Sequence, residues 1–501
     1  MKKRLLLFLQ YYNIYIECMF GGRVNMAKKG PRYVVELFLK TEIFQVHILE
    51  KRFEIGRHIY NACKRKMLDN IQQMRKDETY QFWLKQEKSK TRTKKLIEIR
   101  EAYDISKTGA ERIVNHMGKH FLSKKPKNEK HKQKVHLDSH VVQKIALNVW
   151  ESIEDYLFNP KTKKVRFKKF GEFNTLESKT NKSGIRYKNG FVEWNGLKIK
   201  AEMPKPGKDS YLEAALHDEI AYCRIVRKII RGRTKFYLQL VMKGIPPQKR
   251  KPVEGKVGLD NGISTVATVS DKSVNVQEFC KGLDELDRER RILLRRMDRS
   301  RRATNPNKFN DNGTFKKGNK DKWIRSKRYW KTLYELKEIC RKIAAVRKMM
   351  HNKLANEILS EGNEVYAEWM NYKGLHKTRL GKRMGIKAPA AFLEILDRKL
   401  KYQGRQLIYV NTWTVKASQY CPIGDVYAKK PLSLRFHALP CGRKIQRDIF
   451  SAWLIKNVNE TLDKVDRQKC LNEFHTFYEM YQSFEEKMRS LGEKHISSIG
   501  F

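Results

Sequence analysis

Three acidic residues stand at places in the sequence where a carboxylate is unexpected. Asp260 follows a short apolar run, Glu368 ends the strand-like segment NEVYAEW, and Asp448 lies where the helix-like segment QRDIFSAWLIKNV begins. A carboxylate at a strand end costs free energy unless a cation meets it. Carboxylates from two strands and a helix can converge on two divalent cations about 3.5–4 Å apart, which activate a water and stabilise the leaving oxygen of a phosphodiester. Because Mg²⁺ and Mn²⁺ prefer such oxygen ligands, the three residues predict a metal-dependent phosphodiesterase centre.

Each of these carboxylates also has a simpler interpretation. Asp260 can cap the turn at Asn261-Gly262, Glu368 can belong to a surface ion pair, and Asp448 can be the acidic residue that stabilises a helix N-terminus. A chain with 55 acidic residues offers many triples of this kind. The three residues taken alone therefore leave both interpretations open.

The segments around the carboxylates predict an α/β region at residues 255–460. The stretch KVGLDNGISTVATVSD, residues 256–271, has the pattern of two short strands around a turn. Arg-rich and Lys-rich helices at 283–297 and 322–359 form a basic helical insert, which we place at 281–360. A strand follows at 363–370. The remaining predicted element is a helical C-terminal tail at 461–501.

The first half of the chain predicts a β-structure that is interrupted by helices. Residues 33–41, YVVELFLKT, are rich in β-branched and apolar residues and predict a strand. Residues 161–250 alternate in polarity and carry the turn signals Asn189-Gly190 and Asn195-Gly196. We expect residues 26–49 and 161–250 to form a small barrel, split by a helical lobe at 50–160. The apolar positions that predict the first helix of this lobe are Phe53, Ile59, Ala62 and Met67.

The charge balance predicts a polyanionic partner. Lys and Arg number 107 against 55 acidic residues, which gives a formal net charge of +52. Such a charge destabilises a compact protein through self-repulsion, and nucleic acid is the usual compensation, bound through many phosphates. A merely solubilising surface is disfavoured because basic residues recur along nearly the whole chain. The hydrophobic fraction of 40% excludes a disordered protein.

The cysteines and the N-terminus indicate a cytoplasmic protein. The eight cysteines are scattered and form no compact disulfide framework. We expect no membrane span, because no run of about twenty apolar residues occurs. The N-terminal segment mimics a signal peptide, but Gln10 and Asn13 break its apolar stretch and no cleavage site follows. We expect translation to begin at Met26, which leaves residues 1–25 as an artefact of the assigned start or a tail.

The order of the motifs resembles the transposon-encoded TnpB (OrfB) family, compact relatives of type V CRISPR effectors. The segments GLDNGISTVATVSD, EVYAEWMNYKGL and CGRKIQRDIFSA follow one another, with the Arg-rich helices between the first two. The family has a D-x-G motif after its first strand, an E-x-L-like strand motif and an RD-x-x-A motif near its end. These positions fall on Asp260, Glu368 and Asp448. The resemblance covers residues 33–458 and is strongest from residue 256 onward.

The resemblance implies an α+β multidomain fold. Its parts are an N-terminal, wedge-like β-barrel with an inserted helical lobe and an RNase H-like nuclease domain of the RuvC type. It also implies an RNA-guided, metal-dependent DNA endonuclease encoded by an insertion-sequence-type transposon. The implied cofactors are Mg²⁺ or Mn²⁺ at Asp260, Glu368 and Asp448. The implied partners are a guide RNA transcribed from the transposon end and a double-stranded DNA target, with the protein favoured as a monomer.

The sequence departs from the family in its zinc ribbon. The family usually carries two C-x-x-C pairs before its last Asp, a strong zinc signal. Within residues 417–445 only Cys421 and Cys441 remain, and Gly424 and Ala438 stand at the partner positions. We expect a degenerate ribbon that is held by packing. The packing residues would be Leu432, Leu434 and Phe436. The zinc ligands in the alternative case are Cys421, His437 and Cys441.

Basic segments with interleaved aromatic residues predict the nucleic-acid surfaces. The segment KWIRSKRYWKTLYELK, residues 322–337, suits a duplex backbone with occasional stacking. Its alternative is a solvated helix face with Trp330 and Tyr334 in the core. Helix 50–75 is a candidate for reading a short motif beside the target. The predicted contact residues are Arg57, Asn61, Lys64 and Lys66 in the first half, and Lys322, Arg325, Lys327, Arg328 and Lys331 in the second.

Two other functions stay open at the level of sequence. A guide-directed DNA-binding protein or repressor without cleavage is compatible with the eroded ribbon. A transposase or transposase accessory protein would use the same metal chemistry for strand transfer. A guide-bearing protein leaves sequence reading to base pairing and keeps mostly backbone contacts, which the charge of +52 would serve.

Overall fold

The computed structural model describes residues 30–118, 137–248, 252–431, 433–490 and 499–500. The chain divides into two compact units, with the boundary between Pro247 and Gln248. Each unit combines helices with a sheet, which confirms the mixed α+β, multidomain prediction. The predicted start at Met26, the segment 1–25 and Leu432 lie outside the described residues.

The first unit is built on a seven-stranded sheet. Its strand order is β2-β6-β7-β1-β5-β4-β3. The two predicted Asn-Gly turns are confirmed, since Asn189 and Asn195 and the glycines after them all have positive φ, as type I′ hairpins require. The strands are β1 (Arg32–Lys40), β2 (Thr175–Glu177), β3 (Arg186–Lys188), β4 (Phe191–Trp194), β5 (Leu197–Ala201), β6 (Ile220–Ile230) and β7 (Arg233–Lys243).

This sheet curls but does not close through strand pairing, so the predicted barrel is an open, curled sheet. Strands β2 and β3 are its two edges. Asn181 links the β3 edge to β6: its Oδ1 accepts hydrogen bonds from the Tyr187 N–H at 2.8 Å and from the Cys223 thiol at 3.1 Å. Asn181 thus links β3 to β6, whereas β2 forms its ladder with β6 and β3 forms its ladder with β4.

The helices of this unit follow β1 and interrupt the sheet. The first helix begins at Ile43, seven residues earlier than the predicted lobe, and its apolar face is buried at Phe53, Ile59, Cys63 and Met67. Ala62 is exposed, contrary to prediction, because Cys63 and not Ala62 keeps the 3.6-residue period from Ile59. The helices described in this unit are α1 (Ile43–Lys76), α2 (Glu78–Lys85), α3 (Lys90–Ala102), α4 (Lys107–Gly118), α5 (Ser139–Phe158) and α6 (Ser210–Leu216).

The second unit is built on a five-stranded sheet with strand order β10-β9-β8-β11-β12. Strands β8, β9 and β10 form an antiparallel meander, and β11 and β12 run parallel to β8. Its strands are β8 (Lys256–Asn261), β9 (Thr265–Ser270), β10 (Val274–Glu278), β11 (Glu364–Glu368) and β12 (Ile408–Val410). Two small hairpins follow, β13 (Tyr420–Cys421) with β14 (Val426–Tyr427) and β15 (Phe436–Ala438) with β16 (Lys444–Gln446).

Two long basic helices interrupt this sheet between β10 and β11. They are α7 (Leu283–Thr304) and α8 (Lys327–Glu361). In α7 only Leu283 is buried, because almost every turn carries Arg or Asp. Trp330 and Tyr334 on α8 are 42% and 56% exposed, which contradicts the alternative that places them in the core.

The last helices of the chain complete the core of this unit. Helix α13 (Arg447–Lys456) packs on the sheet, and Trp453 on it stacks on Phe477 of α14 (Arg467–Ser490) with 4.4 Å between ring centroids. Within the described residues, the predicted C-terminal tail therefore includes a helix, Arg467–Ser490, that packs on this unit. The shorter helices are α9 (Tyr372–Leu375), α10 (Gly381–Lys387), α11 (Pro389–Lys401) and α12 (Thr412–Val415). No helix in the described ranges is long and apolar enough to span a membrane.

Candidate metal centre and nucleic-acid surfaces

Asp260 and Glu368 lie at corresponding ends of two neighbouring parallel strands. Leu259 of β8 pairs with Ala367 of β11, so the residue that follows each of them lies at the same edge of the sheet. Asp260 is itself inside the β8–β9 ladder, opposite Ala267, and is not a turn residue. This register explains why two carboxylates that are far apart in sequence come to one place.

Helix α13 brings Asp448 to the same edge of the sheet. The helix approaches β8 at Gly258, where a Cβ would lie 1.9 Å from the Ala452 carbonyl oxygen. A side chain at this position would push the helix away, so glycine is required for the contact. Asp448 stands in the first turn of the helix and is buried.

The electrostatics show that the three carboxylates share one environment. Burial raises the pKa of Asp260 well above its usual range, and the negative charges of Asp448 and Glu368 raise it further, against a smaller opposing effect of Arg447. Burial also raises the pKa of Glu368 to about 7. Desolvation and like-charge repulsion both disfavour the ionised forms. A cation bound beside these carboxylates would favour their ionised forms and would therefore lower both pKa values.

Thr265 orients Asp448. The Thr265 hydroxyl, on β9, donates a hydrogen bond of 2.9 Å to Asp448 Oδ2, and Arg447 Nη2 lies 3.4 Å from Oδ1. Both groups bind the ionised carboxylate and hold its oxygens at fixed positions. The sequence gives no sign of this role for Thr265, because a threonine in a β-rich segment fits a strand without any further role.

If the carboxylates form the phosphodiesterase centre that the sequence predicts, Thr265→Val should lower its cleavage rate about tenfold and leave the fold intact. The substitution keeps the shape of the side chain but removes one hydrogen bond to a charged group, which contributes about 1.5 kcal/mol, equivalent to about tenfold in rate. The measurement is single-turnover cleavage of a DNA target. Thr268→Val on the same strand is the matched control, and equal rates in both variants would exclude a positioning role for Thr265.

A second polar pair lies beside the carboxylates. The Asn261 side-chain amide donates to the Tyr372 hydroxyl at 3.2 Å, and the buried Asn261 Oδ1 atom has no hydrogen-bond partner within the described part of the chain. The pKa of Tyr372 is raised to about 12, mainly by burial, and the charges of Asp260 and Glu368 contribute to this. From the sequence, Asn261 is expected only in a turn. Its carbonyl oxygen is a hard donor, and its partner Tyr372 lies in the field of Asp260 and Glu368.

The donor set fits Mg²⁺ or Mn²⁺ in its chemistry. The groups are carboxylate and amide oxygens, which these ions prefer, and a cation would offset the burial that mainly raises the pKa values of Asp260 and Glu368. Within the described residues, no three His, Cys, Asp or Glu side chains lie close enough to hold one ion together. Ligation of one ion by all three carboxylates would therefore require their side chains to rearrange.

The structure does not assemble the candidate zinc ligands. Cys421 is buried in β13, Cys441 is exposed, and the three candidates do not form a ligand group in the described part of the chain. His437 is buried against Phe450, and its Nδ1 atom contacts the Lys430 ammonium group. Burial, helped by the charges of Lys430 and Arg447, lowers the pKa of His437 to about 4. The lysine contact takes up the Nδ1 atom, and the buried Nε2 atom of His437 has no hydrogen-bond partner within the described part of the chain.

The packing expected for this segment is also partly wrong. Leu434 is 47% exposed and Phe436 is only half-buried. The segment is anchored instead by Leu439 and Ile445, which belong to the same core cluster as α13. The two hairpins therefore use the hydrophobic core of the unit, and no metal is needed to explain their position.

We expect removal of zinc to leave the stability of the protein unchanged. Thermal unfolding of the purified chain should give the same midpoint with and without a strong zinc chelator, and Cys441→Ser should not shift it, because the Cys441 thiol is exposed. Elemental analysis of the purified protein provides the second measurement. Stoichiometric zinc, or a midpoint that falls when the chelator is added, would show that the ribbon is a metal site after all.

Two of the candidate contact residues on α1, Asn61 and Lys64, form hydrogen bonds within the protein. Lys64 is buried, and its ammonium group donates to the Tyr60 hydroxyl, the Ser152 hydroxyl and the Arg166 carbonyl oxygen. The prediction that Lys64 contacts nucleic acid is therefore wrong: its three N–H groups already have partners. The Asn61 side chain is bound at both ends to the backbone of Lys168.

The other two candidates on α1 differ from each other. Arg57 pairs with Glu54 at 2.6 Å and donates weakly to the Lys168 carbonyl oxygen. Lys66 is exposed and remains a predicted contact. A sequence pattern gives the helical face of such residues but not which neighbouring loop will cover it, and here the covering segment is the loop that follows α5.

The five candidates around the start of α8 all point to solvent. Lys322, Arg325, Lys327, Arg328 and Lys331 are exposed. No ion pair involving them occurs among the described residues. Arg325 lies over the ring of Trp330, 5.2 Å from its centroid, and Lys337 lies over that of Tyr334 at 5.8 Å. Exposed cations with aromatic rings beside them are the composition expected of a nucleic-acid surface, and the contacts themselves stay a prediction.

Comparison with known proteins gives weak structural likenesses. No family model matches the chain, and no curated protein matches it. A cryo-EM structure of the Cas12f1-sgRNA-target DNA complex is 12% identical, covers 86% of this chain and 99% of that chain, and has a TM-score of 0.42. A cryo-EM structure of a CRISPR-Cas12f ternary complex is 14% identical, covers 82% of each chain, and has a TM-score of 0.29. Both TM-scores lie below 0.5, so neither likeness by itself establishes a shared fold.

Proposed function

We propose that this protein is an RNA-guided, metal-dependent DNA endonuclease with a RuvC-like catalytic centre. One observation carries the proposal: Asp260, Glu368 and Asp448 come to one edge of the sheet from β8, β11 and α13, and the first two have raised pKa values. An antiparallel meander of three strands followed by two parallel strands is the sheet order of an RNase H-like domain. The TnpB-type motif order supports the same assignment.

The residues would divide the work of phosphodiester hydrolysis as follows. Asp260, whose carboxyl group is affected by the charges of both other carboxylates, would hold divalent cations together with them. Asp448 would face the same ions with its orientation held by Thr265, and Glu368 would complete the set. Bound divalent cations supply an activated water and neutralise the charge that develops on the phosphate. The hydrogen bond between Asn261 and Tyr372 would hold these two polar side chains in place within the site.

The guide RNA and the DNA target follow from charge and from the sequence resemblance. A net charge of +52 exceeds what a small-molecule enzyme needs, and it suits a protein that holds a guide–target duplex by its backbone. The TnpB-type motifs add a guide RNA transcribed from the end of a transposon. We therefore propose that the natural cofactors are Mg²⁺ or Mn²⁺ together with this RNA.

The experiment that tests the guided function is to express the chain with its flanking DNA, purify it and sequence the RNA that accompanies it. One discrete, structured RNA that runs from the gene end into variable flanking sequence is the expected result. Bulk RNA without a dominant species would show that the charge serves general polyanion binding, and the guided proposal would fall.

A guide-directed DNA-binding protein without cleavage is the second candidate, and the ribbon segment is the observation that favours it. Gly424 and Ala438 stand where the TnpB-type pattern has cysteines, so the segment lacks the ligand pairs of that pattern. Metal-dependent cleavage of DNA by the purified complex would exclude this candidate. A transposase would instead yield strand-transfer products in the absence of RNA.

A further inference from the structure

The segment between α5 and β2 is a fixed, strongly basic surface. We call residues 161–171 the basic strap. Its first ten residues, KTKKVRFKKF, contain six cations and no acid. It has no regular secondary structure. A run of like charges of this kind is usually mobile, because the charges repel one another, so its ordered path over α1 requires a cause.

Side chains of α1 hold the backbone of the strap in place. Asn61 accepts from the Lys168 N–H at 2.9 Å and donates to the Lys168 carbonyl oxygen at 2.8 Å. Lys64 donates to the Arg166 carbonyl oxygen at 3.2 Å. Glu54 accepts from the Gly171 N–H at 3.4 Å. Three polar groups on one helix face thus bind successive parts of the strap through its backbone, which leaves the strap's own side chains free to point outward.

Holding the strap in this way includes burying the Lys64 ammonium group, which lowers the stability of the charged form. Burial, together with the positive charge of Lys168, lowers the pKa of Lys64 to about 8. Burying an ammonium group costs free energy unless its donors are satisfied, and one of its three bonds goes to the strap. The fold therefore stabilises a conformation that places like charges together.

The outward side of the strap presents uncompensated charge and bare aromatic rings. Lys163, Lys164, Arg166, Lys168 and Lys169 are exposed, and no ion pair involving them occurs in the part of the chain that the structure describes. Phe170 is 81% exposed and Phe167 is 40% exposed. Arg65 of α1 lies 5.9 Å from the centroid of the Phe167 ring. Phe170 therefore presents almost its whole ring to solvent beside the cations of the strap.

We propose that the basic strap binds a single-stranded segment of nucleic acid, with phosphates on its lysines and a base stacked on Phe170. The charges require a polyanion. The bare ring distinguishes an unpaired strand from a duplex, because only unpaired bases offer a free face for stacking. Asn61 and Lys64 are then positioning residues, which explains why a helix that carries the pattern of a binding surface directs two of its polar groups into the protein.

This inference does not depend on the cleavage chemistry, since a protein unable to cleave would bind in the same way. The test uses the full chain and short single-stranded oligothymidine and oligouridine probes that carry one 2-aminopurine. Fluorescence anisotropy measures affinity across a salt series, and the quenching of 2-aminopurine reports stacking. A duplex of the same length is the comparison ligand.

Phe170→Ala should weaken single-strand binding about tenfold and abolish the quenching, while Phe170→Trp should keep both. Phe44→Ala is the matched control, because Phe44 is also an exposed phenylalanine, 56% exposed at the start of α1. Unchanged quenching in Phe170→Ala, or equal losses in the Phe44 control, would overturn the stacking role.

The triple variant Lys163→Gln, Lys164→Gln and Lys169→Gln should reduce the slope of log affinity against log salt by about 2, since each phosphate contact on a single strand contributes about 0.7. The control triple variant carries Gln at Lys182, Lys188 and Lys200, which are exposed residues elsewhere in the same unit. Equal changes in the two triple variants would show that the strap contributes only general charge, and the proposal would fall.

Discussion

Asp260→Asn should reduce target cleavage by at least about a thousandfold while guide RNA binding stays at the wild-type level. The substitution keeps the size of the side chain but removes the carboxylate that is electrostatically coupled to both Asp448 and Glu368. Loss of a shared metal ligand removes several kcal/mol of transition-state stabilisation, and each 1.36 kcal/mol corresponds to tenfold in rate. Single-turnover cleavage with saturating metal, together with RNA binding, measures the effect.

The same variant should be more stable than the wild type when metal is absent. The pKa of Glu368 is raised to about 7 in the folded protein, so the stability that its protonated form contributes is lost as the pH rises from the ordinary glutamate range through 7. The pKa of Asp260 is also raised, so its contribution to stability likewise falls as the pH rises. In a chelator at neutral pH, Asp260→Asn removes one of the repelling charges and should raise the unfolding midpoint. Retained cleavage, or a midpoint that falls in the chelator, would contradict the assignment of Asp260.

Gly258→Ala should unfold or loosen the second unit and abolish cleavage. The added Cβ would lie 1.9 Å from the Ala452 carbonyl oxygen and 2.7 Å from the Lys456 nitrogen, both of them backbone atoms of α13. Backbone cannot turn aside as a flexible side chain can, so the helix that carries Asp448 must shift. We expect a loss of about 3 kcal/mol or more, which lowers the unfolding midpoint of the unit by about 6–12 °C.

Gly385→Ala is the matched control for this substitution. It lies in α10 of the same unit, where an added Cβ meets only His376 Cε1 at 4.0 Å, and alanine favours a helix over glycine. Its midpoint should be unchanged or slightly higher. If Gly258→Ala unfolds at the wild-type temperature and still cleaves DNA, then α13 does not pack on β8 as described, and Asp448 loses its place beside Asp260.

The sequence was most informative where one short segment determines its own conformation. The strand at 33–41, the two Asn-Gly turns and the strand before Asp260 are confirmed because their signals are local. The meeting of Asp260 and Glu368 depends on a parallel register between segments about a hundred residues apart. Only the family motif order made that meeting foreseeable, since parallel pairing leaves no local signal in either strand.

The wrong predictions concern contacts that side chains make across the fold. Lys64 has the sequence context of a surface lysine, yet Ser152 and the strap bury it. The barrel stays open because β2 pairs with β6 and β3 pairs with β4 but the two do not pair with each other, and an alternation pattern does not give strand partners. Thr265 and Lys430 were missed for the same reason: their partners, Asp448 and His437, are set by tertiary packing.

Programmed cleavage is the measurement that tests the central claim most directly. The purified complex would be given its own RNA with the guide segment replaced, and then two plasmids of which only one matches the new guide. We predict cutting of the matching plasmid alone, in Mg²⁺ or Mn²⁺ and not in a chelator, with no cutting by Asp260→Asn. Cleavage that ignores the guide, that proceeds without metal, or that survives in the Asp260 variant would contradict an RNA-guided nuclease centred on Asp260, Glu368 and Asp448.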